Sequence, residues 1–163
     1  MTSNLWLSIP ALVISMASAM FTAYGVFYTQ RRQDERETTK LRREHLIDHY
    51  LRAKAVTTEC TGVTERYLFG DLPEAIASER QTNTLVELER LASKTAFLSK
   101  ECSDLLYDLF RFECEYIVQR AAERRSSDAV TDEEAKAIRF GWERRRDKLL
   151  SKLRDETRRA TGL

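Results

Sequence analysis

At 163 residues the chain has room for one modest domain and a short accessory segment, and a second full domain is excluded. Only five glycines and two prolines punctuate it, which disfavours a turn-rich sheet and points to an all-α protein. The balance of 27 Lys+Arg against 26 Asp+Glu excludes strong polyelectrolyte character, and three cysteines, Cys60, Cys102 and Cys114, without ligand spacing exclude a secreted disulfide framework and leave reduced thiols.

From Leu5 to Tyr28 the chain carries 24 residues without a charge. As a helix they would extend about 36 Å against a hydrocarbon core of about 30 Å, so the stretch is expected to cross a membrane with some tilt. Trp6 near one end and Tyr24 and Tyr28 near the other suit the headgroup level, and Pro10 falls in the first turns, where a helix tolerates it. Arg31, Arg32 and Arg36 follow the span while no charged side chain precedes it, which places the C-terminal body in the cytoplasm and the N-terminus outside, as for a protein of the bacterial inner membrane. Ala17-Ser18-Ala19 has the form of a signal-peptide cleavage site, but a cleaved leader needs its basic residues before the apolar run.

Small and hydroxyl residues recur inside the span at alternating steps of three and four: Ser8, Ala11, Ser15, Ser18, Thr22, Gly25 and Thr29. Such a stripe lets a second backbone approach closely, so the anchor is expected to self-associate and the protein to be a homo-oligomer. Nothing in the span is ionisable, so no pore selectivity can be argued from it.

The helix is expected to continue past the membrane. Residues 1–29 read as the anchor, 30–45 as a polar helical stalk and 46–163 as a cytoplasmic bundle, because Leu46, Ile47, Tyr50, Val56, Cys60, Val63 and Tyr67 begin an apolar face. Gly70-Asp71-Leu72-Pro73 carries a stop signal followed by a start signal. The next stretch is expected to break around Gln81-Thr82-Asn83-Thr84 and to resume through Leu85, Leu88, Leu91, Ala92 and Leu98. Leu105, Leu106, Leu109, Phe110, Phe112, Tyr116, Ile117 and Val118 form the most apolar segment, ended by Ser126-Ser127-Asp128. Thr131-Asp132-Glu133-Glu134 is a capping box opening a last helix whose apolar face is Ile138, Trp142, Leu149 and Leu153. The expected architecture is one transmembrane helix followed by an up-down bundle of four to five helices.

Candidate chemistry is sparse. His45 and His49 lie one helical turn apart, a spacing that can chelate a metal, but H-x-x-D-H departs from the inverted zincin pattern at the general-base position and no third ligand is apparent. No resident metal or cofactor is expected. Glu113 and Glu115 flank Cys114 and read as solvated surface, since adjacent helical carboxylates diverge. No P-loop, nucleophile elbow or dinucleotide fingerprint occurs, so an enzyme is not expected.

Charge is uneven: residues 139–163 hold nine basic and four acidic residues, residues 31–54 eight and five, and the stretch between ten and seventeen, so basic ends flank an acidic middle. The middle helices can neutralise the ends, while Arg144, Arg145, Arg146, Lys148 and Lys152 form a candidate site for a small anionic, nucleotide-like ligand. Interleaved acids and the scarcity of aromatics beside the basic run, with Trp142 the nearest, argue against nucleic acid. The expected partners are therefore the lipid bilayer, further copies of the chain and a cytoplasmic protein. The leading expectation is a membrane-anchored interaction or scaffold protein, and the alternative is a membrane effector switched by an anionic ligand.

Overall fold

The computed structural model describes the backbone of residues 5–125 and 132–162, with side chains described for residues 15–16, 18–123 and 136–162. Four α-helices account for nearly all of it: α1 (Leu5–Leu68), α2 (Glu74–Thr95), α3 (Lys100–Arg125) and α4 (Asp132–Thr161). Among the described residues there is no strand. The chain divides into two compact units, Met1–Leu41 and Arg42–Leu163, with α1 contributing to both.

In the first unit the uncharged stretch Leu5–Tyr28 is helical throughout, and the side chains of residues 5–14 lie outside the described ones. Among the described residues no helix is long and apolar enough to cross a membrane. Met20, Phe21, Tyr24 and Phe27 are all exposed, Phe21 at 81%.

The second unit is an antiparallel four-helix bundle. Contacts along α1 and α2 run in opposite order, His49 with Thr95, Arg52 with Glu87 and Thr64 with Gln81. The same holds for Cys102 with Thr157 and Glu113 with Arg146 across α3 and α4. Its main core joins Leu46, Ala53 and Val56 of α1, Leu88, Leu91 and Ala92 of α2, Leu106 and Leu109 of α3, and Leu153 of α4. A smaller aromatic cluster of Phe112, Tyr116 and Trp142 closes the α3/α4 side.

Local signals explain the helix ends. Asp71 N–H donates to the Arg66 carbonyl (2.9 Å) and Gly70 N–H to that of Tyr67 (3.2 Å), a Schellman pair that requires the left-handed φ of +80° that Gly70 supplies. Pro73 then stands at the N-cap of α2, where its missing N–H costs nothing.

Two boundaries differ from the sequence expectation. Helix α2 runs unbroken through Gln81–Thr84, because Thr82 and Thr84 bond their hydroxyls to carbonyls of their own helix and the Gln81 amide donates to Thr64 of α1 (3.0 Å). Tertiary packing there outweighs the weak helix propensity. The break falls instead at residues 96–99, without a Gly or Pro to announce it, where the Ser99 hydroxyl caps α3 by accepting from Cys102 N–H (3.3 Å). Ser99→Ala is expected to lower bundle stability by about 1 kcal/mol in urea unfolding. The expected stop at Ser126-Ser127-Asp128 and the capping box at Thr131 fall outside the described residues.

Candidate functional site

Helices α3 and α4 face one another through side chains at matching intervals. On α3 these are Asp108, Arg111, Phe112 and Glu115; on α4 they are Arg145, Lys148, Leu149 and Lys152. Spacings of three, four and seven put each set on one helical face, and the two faces enclose an open cleft of about 400 Å³. Phe112 and Leu149 contribute its apolar surface. Four cations, Arg111, Arg145, Lys148 and Lys152, line it against two carboxylates, Asp108 and Glu115. A second open cleft, about 550 Å³ and mainly apolar, is lined by Cys114, Val118, Ala122 and Trp142, and it shares Glu115 and Arg145 with the first.

Arg145 occupies the middle of this surface. Its guanidinium lies 5.5 Å from the Phe112 ring centroid and 5.4 Å from that of Trp142, so aromatic faces hold the charge in place without neutralising it. Of the other anion-site candidates, Lys148 and Lys152 join it in the cleft, and Arg144 is exposed but does not line it.

Arg146 is turned the other way. It is buried, and its guanidinium donates to both oxygens of Glu113 (Nε–Oε1 2.5 Å, Nη2–Oε2 2.9 Å) while lying 4.8 Å from the Tyr116 ring centroid. Burial alone would lower its pKa, but the hydrogen bonds and charge of Glu113 override that and hold the guanidinium more firmly protonated. Glu113 is fully buried, which corrects its reading as solvated surface: it shares the inward face of α3 with Leu106, Leu109 and Tyr116.

A second polar group lies further along the same helices. Tyr116 donates to Glu65 of α1 (2.6 Å), and Arg120 and Arg139 approach the same carboxylate at 3.5 and 3.7 Å. Burial, then the hydrogen bond to Glu65, raises the Tyr116 pKa well above its usual value of 10.0. Cys60 is also fully buried, and its thiol is pushed up to about 12, by burial first and then by the Glu113 charge. It is an inert core thiol at neutral pH.

The histidines form no ligand set among the described residues, where no group of three or more potential metal ligands occurs. His45 is exposed. The half-buried His49 directs Nδ1 at the Thr95 hydroxyl (2.8 Å), whose own proton goes to the Leu91 carbonyl, so His49 is the donor and ties α1 to the end of α2. Burial lowers its pKa and keeps it neutral.

In the first unit Ser15, Ser18, Thr22, Gly25 and Thr29 are exposed, and Thr22 and Thr29 donate to the carbonyls of Ser18 and Gly25 (both 2.9 Å). The side chains of Ser8 and Ala11, the remaining members of the stripe, lie outside the described residues. Comparison of the chain with protein-family models, with curated proteins and with solved structures found no match.

Proposed function

We propose that the chain is a membrane-anchored helical interaction module. In this reading the uncharged stretch Leu5–Tyr28 is the anchor, and the Ser8, Ala11, Ser15, Ser18, Thr22, Gly25 and Thr29 stripe joins copies of it. The bundle of Arg42–Leu163 is then presented to a protein partner on the cytoplasmic side, and no step of chemistry is required of it. The observation that carries the reading is a set of large apolar side chains, Met16, Met20, Phe21, Tyr24, Val26 and Phe27, exposed on one uncharged helical segment. Contiguous apolar surface of this kind is unfavourable in water and suits hydrocarbon or a second helix. Beyond it Arg32 lies 5.0 Å from the Tyr28 ring centroid, a pairing suited to the headgroup level.

Alkaline carbonate washing of vesicles tests the anchor. The protein is expected to stay in the membrane pellet, and its C-terminal half to resist protease added outside intact cells. Release by the wash, or digestion from outside, would remove this reading. Ser15→Leu and Gly25→Leu are each expected to reduce chemical crosslinking between copies several-fold, because a branched side chain separates the backbones. Unchanged crosslinking would contradict the stripe.

A second reading draws on the cleft cations. A small anionic ligand held by Arg145, Lys148 and Lys152 would make the protein a ligand-responsive membrane effector.

A further inference from the structure

We infer that the groove between α3 and α4 is the docking site for an acidic amphipathic helix of a partner protein. The inference rests on the interaction-module reading and names the kind of partner the bundle would take.

The two clefts share Glu115 and Arg145, so they lie end to end along α3, from Asp108 to Ala122, with Arg145 where they meet. That is about 21 Å, or roughly four turns of an incoming helix. One half is cationic, with Arg111, Lys148 and Lys152, and the other is apolar, with Val118, Ala122 and the edge of Trp142. Val118 is 69% exposed, although a large β-branched side chain in a groove gains by being covered.

The groove also carries a net positive charge, four cations, Arg111, Arg145, Lys148 and Lys152, against two carboxylates, Asp108 and Glu115. A groove that offers excess positive charge beside uncovered apolar surface complements a helix carrying acids next to an apolar stripe.

A compact polyanion fits less well. The cations are spread along two helices, and Arg146, whose guanidinium is fixed by packing, is already committed to Glu113. Asp108 and Glu115 are interleaved among the cations, so the positive charge is spaced along the cleft rather than focused at one point. The groove is open along its length, whereas small-ligand sites enclose most of their ligand. A small anion would also leave the apolar half uncovered.

The test uses the full chain in detergent micelles, so its outcome does not depend on whether the anchor reading holds. The probe is a synthetic helical peptide of about five turns, with leucines along one stripe and glutamates flanking it, compared with its lysine counterpart and with inorganic pyrophosphate. The glutamate peptide is expected to bind in the micromolar range, more weakly as salt rises, while the lysine peptide does not bind. Lys148→Glu combined with Lys152→Glu is expected to weaken it at least about tenfold. Val118→Asp is expected to weaken it independently, and unchanged circular dichroism would show that both variants remain folded. Failure of the glutamate peptide to bind, or binding indifferent to both sets of substitutions, overturns the proposal. Pyrophosphate binding that depends on the lysines but not on Val118 would assign the groove to a small anion instead and also overturns it. So would dispersal of the oligomer by the lysine substitutions with no peptide bound, which would give the groove to a second copy of the chain.

Discussion

Glu113→Ala is expected to destabilise the bundle by about 3–5 kcal/mol, the largest effect of any single change proposed for this chain. Arg146 is 6% exposed and its guanidinium is bonded to both oxygens of Glu113, which is itself 0% exposed. Removing the carboxylate leaves a cation in the interior with the Phe112 and Tyr116 rings as its nearest partners, and ring faces replace only part of what water or a carboxylate supplies. The loss should appear as a lower urea midpoint for the full chain in mild detergent, followed by far-UV circular dichroism, with little change in slope. In a thermal scan the same loss corresponds to about 10–20 °C. The pair itself is not expected to be worth that much. Glu113→Leu combined with Arg146→Met removes both charges and keeps the volume, so the double variant is expected to recover most of the stability lost by Glu113→Ala. A loss below about 1 kcal/mol for Glu113→Ala would mean that water reaches the pair.

This pair also marks where the sequence stops being legible. Leu46, Leu88, Leu91, Leu106, Leu109 and Leu153 stand at helical intervals and are buried as expected, since a periodic apolar face has only one place to go. Gly70 and Pro73 announce the α1/α2 turn because each has a specific backbone consequence. Glu113 and Arg146 announce nothing singly, and charged residues are seldom fully buried. Their signal is joint. Glu113 continues the series Leu106, Leu109, Glu113, Tyr116 on α3, and Arg146 continues Trp142, Arg146, Leu149, Leu153 on α4. Opposite charges each interrupting an apolar face form a buried pair only if the helices lie side by side, and that is known once the fold is known. The same limit applies to the groove. Arg145, Lys148 and Lys152 were visible as a basic run, but Arg111 joins them only because α3 lies against α4, and Arg146 leaves them for the same reason. Val118 belongs to the most apolar stretch of the sequence, whereas its position on α3 faces outward.

Raising the pH is expected to destabilise the bundle in a window set largely by Cys60. Its thiol, ordinarily ionising near 9.0, is pushed up to about 12 in the folded protein by burial and by the neighbouring Glu113 charge, against opposing help from Thr84 and Arg146. Between those values the unfolded chain has lost the thiol proton and the folded chain has kept it. The folded state therefore binds more protons, and its stability falls as pH rises. The contribution is fully present below the unfolded value and is lost on the way to the folded one, at about 1.4 kcal/mol per pH unit and about 4 kcal/mol in all. Tyr116 adds to the loss from about its usual value of 10.0 upward, since its pKa is raised by burial and by its hydrogen bond to Glu65. Cys60→Ala separates the two. Near neutral pH it is expected to cost about 1 kcal/mol for the small cavity, but it should flatten most of the fall in stability between pH 9 and 10, where Tyr116 only begins to contribute and the more exposed Cys114 thiol, also raised by burial, leaves a smaller residual slope. Urea midpoints measured at half-unit pH steps would show the change. An unaltered slope in that interval would mean that the Cys60 thiol ionises in the folded state almost as easily as in the unfolded one, and that the interior beside Glu113 is wetter than its zero exposure implies.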